Sequence, residues 1–151
     1  MEINTKYFGP VSYTAEDLLH FPQGLFGFEE EQEFLLIPFE ENDSALLCLQ
    51  STITPALTFL VMNPFPLKPD YAPRLHSDEL RAMKVNSSQD LCYYVLCVVR
   101  DPVCTSTVNL KCPVVINEDT KEAMQVILDV PELHMRHLLS EFGSREADAI
   151  C

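Results

Sequence analysis

Glycine and positive charge are the two things this chain has least of. Four of its 151 residues are glycine, at 9, 24, 27 and 143, too few and too scattered for the Gly-rich turn that cradles a phosphate. Lys and Arg number 10 against 23 Asp and Glu, a formal net charge of −13 and a pI near 4.5. Such a surface repels phosphate backbones, so direct nucleic-acid binding is not expected. No Cys-x-x-Cys pair occurs among the cysteines at 48, 92, 97, 104, 112 and 151, and the histidines at 20, 76, 134 and 137 are scattered. That spacing predicts no zinc site, no other metal and no cofactor. His134 and His137 stand one helical turn apart without acids in register, which reads as a solvated face. Neither a Gly-x-Ser-x-Gly elbow nor a His-Glu-x-x-His helix is present.

The start, Met1-Glu2-Ile3-Asn4, has neither the basic nor the apolar region of a secretory signal, so a cytoplasmic protein with reduced thiols is expected. From Ser44 to Leu67 no residue is charged. Pro55, Pro64 and Pro66 would break a spanning helix repeatedly, so two buried strands joined by a turn explain the run better than a membrane segment.

What the chain does have is acid, unevenly placed. Residues 1–67 carry ten acids and one base, Lys6. Glu29, Glu30, Glu31, Glu33, Glu40, Glu41 and Asp43 form the densest part, a candidate acidic surface that is either merely solubilising or meets a basic partner. With 47% hydrophobic residues the chain can bury one core, and one soluble domain is expected.

The run His20-Phe21-Pro22-Gln23-Gly24-Leu25-Phe26-Gly27-Phe28 combines a proline, two glycines and three aromatic rings. His20, Pro22, Gly24, Gly27 and Phe28 read as a structural loop, with all three rings packed onto the core as a plug. Around it, strands are expected at Glu2–Phe8, Leu18–Phe21, Phe34–Phe39, Ala45–Gln50, Leu57–Met62, Leu91–Val99, Thr105–Asn117 with a break at Pro113, and Ala123–Leu128. Thr14-x-x-Asp17 has capping-box spacing. Ser77 to Met83 reads as a short helix with Ser77 as its cap. Met135, Leu138, Leu139 and Phe142 fall on one stripe of a C-terminal helix. Consecutive strands with short links predict an antiparallel meander.

Four motifs taken in order are more specific than any one. His20-Phe21-Pro22-x-Gly24-Leu25-x-Gly27-Phe28-Glu29, then Asn63-Pro64-Phe65 with Pro69-Asp70-Tyr71, then Asn109-Leu110-x-x-Pro113-Val114-x-Ile116-Asn117 and finally Gln125-Val126-Ile127-Leu128 resemble the flagellar assembly factor FliW family over about residues 2–140. The aromatic expected before the family's Arg-His pair is missing from Leu133-His134-Met135-Arg136-His137-Leu138. The resemblance implies a mainly β fold, a single small antiparallel β-barrel-like domain over residues 1–140 with short helices, including a C-terminal one, followed by a flexible C-terminal extension, 141–151. It also implies a cytoplasmic non-enzyme whose partners are flagellin and the RNA-binding translational regulator CsrA, which it antagonises. An acidic domain docked beside a basic RNA-binding surface would weaken phosphate binding without occupying the RNA site. Candidate partner-binding residues are Asn63, Pro64, Phe65, Asp70, Tyr71, Asn109, Pro113, Ile116 and Asn117, which are equally readable as barrel corners. The rival readings are a flagellin chaperone without regulatory activity and a small ligand-binding or enzymatic barrel. A buried polar pocket would favour the barrel enzyme, and an apolar patch rimmed by acids the interaction protein.

Overall fold

Short strands bounded by turn residues account for most of the regular structure. The structure, a computed structural model, describes residues 1–38, 46–101 and 105–142. In order these residues form β1 (Glu2–Thr5), β2 (Gly9–Ser12), a 3₁₀ turn, β3 (Leu18–His20), β4 (Glu33–Pro38), β5 (Leu46–Ser51) and β6 (Thr58–Met62). Helix α1 (Ser77–Ala82) is followed by β7 (Cys92–Val98), β8 (Thr107–Val108), β9 (Val114–Asn117), β10 (Glu122–Gln125) and β11 (His137–Leu138), and a last 3₁₀ turn covers Leu139–Phe142.

The meander expected from the sequence is β4-β5-β6, antiparallel throughout, and β7 extends it antiparallel to β6. β3 pairs antiparallel with β4 and parallel with β10, β10 pairs with β9, and β9 returns to β7. That last pairing closes a seven-stranded barrel and removes the sheet edges an open meander would expose.

Two cores flank the barrel wall, where the sequence suggested one. Leu19, Phe34, Leu49, Val61, Val114, Ile116 and Ala123 point inward, and Phe21 and Leu25 from the following loop join them. Outside β7 and β9 lies a second cluster of Tyr71, Leu75, Met83, Tyr93, Val95, Val115, Val126, Leu128 and Leu133. Strand alternation produces this division: Cys92, Tyr94 and Leu96 face one cluster, Tyr93 and Val95 the other. β7 reads as a continuous apolar run because both its faces are covered.

Several expected elements differ. The first strand ends at Thr5, whose hydroxyl donates to the Gly9 carbonyl (2.8 Å) and accepts from Phe8 N–H (2.9 Å). Gly9-Pro10 therefore starts β2 of a hairpin, with Pro10 opposite Asn4 at a free edge. The strand expected over Thr105–Asn117 is two strands, because Asn109 Oδ1 accepts from Cys112 N–H (3.0 Å) and folds the intervening residues out as a turn. The inferred alternation survives in that turn, with Leu110 and Cys112 buried and Asn109 and Lys111 half-buried. The last expected strand stops at Gln125. α1 is capped by His76, not Ser77; Glu79 Oε1 accepts from the His76 N–H at 2.8 Å.

The largest correction is at the C-terminus. Met135, Leu138, Leu139 and Phe142 do not share a helix, and the helix reduces to the 3₁₀ turn at Leu139–Phe142. β8 offers an open edge that the backbone of His137 and Leu138 fills, and the His137 ring accepts from His134 N–H (2.8 Å) to turn the chain into it. Leu139 is buried while Met135 and Leu138 are exposed. Glu40, Glu41 and Asp43, and the extension from 143 onward, lie outside the described residues.

Candidate partner-binding surfaces

The loop joining β3 to β4 folds back on itself. Gly24 (φ +67°) donates to the Phe21 carbonyl at 2.9 Å, and Leu25 and Phe28 bridge each other through Phe28 N–H (2.8 Å) and Leu25 N–H (3.4 Å). A Cβ on Gly24 would sit 2.5 Å from Glu29 Cα and Phe28 O, so this close approach requires glycine. Gln125 braces the loop from the barrel: its Oε1 accepts from Phe26 N–H (3.0 Å) and its Nε2 donates to the Cys112 carbonyl (3.1 Å). Gln32 Nε2 donates to the Pro22 carbonyl (3.1 Å).

The plug is one ring, not three. Phe21 is fully buried, edge-on to Phe34 at 5.1 Å, whereas Phe26 and Phe28 are 50% and 40% exposed. Phe28 rests its inner edge on Phe59 at 5.1 Å. Gly27 (φ +85°) provides the left-handed step between the two outward rings. His20 and Pro22 are exposed, and the His20 N–H donates to the Lys121 carbonyl (2.8 Å).

Glu29 and Glu30 follow Phe28 directly and are exposed. Glu31 and Glu33 are half-buried and accept from the Ser51 and Thr52 hydroxyls at 3.2 and 3.3 Å, which ties the loop to the β5–β6 turn. That turn exposes Ile53 by 65%. One end of the barrel thus presents large apolar groups on a braced backbone with carboxylates beside them, the combination associated with protein contact.

The Pro-rich connection after β6 sits elsewhere. Asn63 Oδ1 accepts from Phe65 N–H (3.0 Å) to shape the corner, with Pro64 buried beneath it. Phe65 is partly exposed and packs on Tyr71 and Tyr93 with ring centroids 5.9 and 6.2 Å away. Tyr71 is buried and donates to the Leu110 carbonyl at 2.7 Å, and burial pushes its phenol well above the ordinary range. Asp70 is exposed and pairs with Lys68 at 3.0 Å, whose ammonium holds the carboxyl below its usual range. Asn109 shapes its own turn as described, and Pro113 and Ile116 are buried. Asn117, also buried, donates to the Met83 carbonyl (2.8 Å) and accepts from Asp119 and Thr120 N–H (2.9 and 3.4 Å). Of the nine candidate residues, Phe65 and Asp70 offer exposed side chains, Asn63, Pro64, Tyr71, Asn109, Pro113 and Asn117 hold turns and corners together, and Ile116 lies in the barrel interior.

The barrel mouth opposite the loop is a cleft of about 330 Å³ lined by Tyr13, Glu16, Asp17, Cys92, Tyr94 and Glu118, among others. The Cys92 thiol donates to Glu118 Oε1 (3.1 Å), and burial first, then this carboxylate, push it up to about 11. Among the described residues no histidine lines the cleft. A thiol held protonated beside a carboxylate, with no base to take its proton, is poorly suited to nucleophilic chemistry. Among the described residues no group of three or more His, Cys, Asp or Glu side chains could hold a metal ion, and no helix is long and apolar enough to cross a membrane.

Comparison with known proteins agrees with this architecture. The family model described as FliW protein matches residues 2–139. The flagellar assembly factor FliW of Geobacillus kaustophilus is 38% identical over 139 residues, 92% of this chain and 95% of that protein. Its counterpart from Caldanaerobacter subterraneus subsp. tengcongensis is 36% identical over 141 residues, 93% and 94% of the two chains. A crystal structure of the flagellar assembly factor FliW superposes with a TM-score of 0.85 at 36% identity, covering 92% of this chain and 96% of its own. A closed β-barrel carrying the four motifs in order, with relatives aligned along nearly the whole length, places this chain in the FliW family of flagellar assembly factors.

Proposed function

We propose that this flagellar assembly factor is a non-catalytic, cytoplasmic interaction module that binds flagellin and antagonises a CsrA-type translational regulator, coupling flagellin translation to secretion. The observation that carries the reading is the surface formed by Phe26, Phe28, Glu29 and Glu30. Two large rings stand half out of the fold on a loop braced from Gln125, beside carboxylates, in a chain of net charge −13. Exposed rings of this size are hot-spot material, and the braced backbone reduces the entropy lost on docking. The acids favour a basic partner and disfavour RNA itself, so antagonism acts through the regulator's own surface and not by holding the transcript.

The test is calorimetric titration of purified flagellin and of the cognate CsrA into the wild-type chain and into a Phe26→Ser/Glu29→Lys/Glu30→Lys variant. The reading predicts micromolar or tighter binding of both partners by wild type. It predicts at least tenfold weaker CsrA binding by the variant, with the wild-type affinity falling as salt is raised. Absence of CsrA binding by the wild-type chain, or an unchanged affinity in the folded variant, refutes it.

A further inference from the structure

The barrel carries a second built surface that differs in charge from the first. A cleft of about 650 Å³ opens between the Pro-rich connection and the segment leading into β7. Its apolar wall is Phe65, Tyr71, Leu75, Leu80, Leu91 and Tyr93, with Arg74 exposed at its rim. A smaller cleft of about 390 Å³ adjoins it, shares Leu80 and Asn86, and adds Arg81 and Lys84. Among the described residues the two linings hold three basic side chains and no acidic one, although acids outnumber bases 23 to 10 in the chain. Lys84 is paired with Glu122 at 2.6 Å. Arg74 and Arg81 have no ion-pair partner among the described residues.

The polar groups along the floor separate into those already used and those still available. Tyr71 and Tyr93 spend their hydroxyls on the Leu110 and Ser88 carbonyls, and the Ser88 hydroxyl accepts from Leu75 N–H. The rings are thereby fixed in place as an apolar floor. The side-chain amides of Asn86 and Gln89 line the cleft and make no hydrogen bond among the described residues. Fixed rings suit an aliphatic or proline side chain, free amides suit an extended backbone, and unpaired guanidinium groups suit a carboxylate.

We propose that this double cleft docks an extended segment of a partner protein bearing an apolar anchor residue flanked by acidic side chains. Charge complementarity selects that occupant: Arg74 and Arg81 at the lining repel a basic segment and attract an acidic one. The site shares no residue with the Phe26 surface, so it stands or falls independently of the function proposed above.

The test is a random octapeptide display library panned on the immobilised full-length chain, with an Arg74→Glu/Arg81→Glu variant as counter-selection. Both arginines are exposed, and a circular-dichroism melt verifies that the variant folds. Enrichment of clones combining a Leu, Ile, Phe or Pro with Asp or Glu is expected. The corresponding synthetic peptides should bind wild type at least tenfold tighter than the double variant, lose affinity with Phe65→Ala, and keep it with Phe26→Ser. Clones that are basic, clones indifferent to both arginines, or no enrichment at all would each overturn the proposal.

Discussion

Alanine at Gly24 and at Gly27 should separate backbone strain from steric closure in the loop that carries the exposed rings. Both glycines have positive φ, +67° and +85°, so an alanine at either incurs about 1–2 kcal/mol for the left-handed conformation. Their surroundings differ. A Cβ at Gly27 meets nothing within 4 Å, whereas one at Gly24 lies 2.5 Å from both Glu29 Cα and Phe28 O and 2.7 Å from Glu29 C. Backbone atoms cannot swing aside as a side-chain tip can. The turn must therefore open, and overpacking of this kind adds roughly 1–3 kcal/mol. Opening also weakens the Leu25–Phe28 bridge that holds Leu25 in the barrel interior. Gly27→Ala should thus cost about 1–2 kcal/mol and Gly24→Ala about 3 kcal/mol or more. For a domain of this size that corresponds to melting shifts of roughly 3–6 °C against 9 °C or more. Urea unfolding followed by circular dichroism measures both. Equal losses, or a larger loss for Gly27→Ala, would refute the close approach of Gly24 to Glu29.

Asn117→Ala should be among the costlier polar truncations. It leaves the buried Met83 carbonyl without its 2.8 Å donor and two turn N–H groups without their acceptor, a loss of about 2–3 kcal/mol that urea unfolding would register. Asp119→Ala, exposed in the same turn, should change stability by less than about 0.5 kcal/mol. Cys92 and Cys97, pushed up to about 11 and about 12 chiefly by burial, should resist alkylation at pH 7.5 while unfolded chains react readily. Because the folded thiols keep their protons to higher pH than unfolded ones, their contribution to stability is complete below about pH 9 and is lost as pH rises through 11 and 12. A pH series of urea midpoints should decline across that window, and the Cys92→Ala/Cys97→Ala double variant should decline less.

The sequence carried the meander because β4 to β6 are written as apolar runs separated by short polar turns, a local signal. It carried less where distant groups decide. Nothing near Pro113 says that β9 returns to β7, since that pairing closes the barrel from across the chain. The C-terminal stripe satisfied the period of a helix, yet an open edge at β8 and a hydrogen bond from the His134 N–H to the His137 ring drew the chain into a strand. The loop from His20 to Phe28 was recognisable as irregular, but not which rings would be buried. That choice depends on Gln125, ninety-nine residues from the N–H it receives. Residue type marked Tyr71, Pro113 and Asn117 as special positions without saying that their partners are internal. Arg74 and Arg81 gave no signal, because a lone arginine in a connection or on a short helix is ordinary until the lining of its cleft is seen.

The most direct test of the functional claim is fluorescence anisotropy of a labelled flagellin leader RNA held by the cognate CsrA, titrated first with this chain and then with flagellin. The account predicts that anisotropy falls as the RNA is released, that flagellin restores it, and that the Phe26→Ser/Glu29→Lys/Glu30→Lys variant leaves it high. RNA that stays bound at saturating wild-type chain would contradict regulation through CsrA and leave a factor that serves flagellin alone.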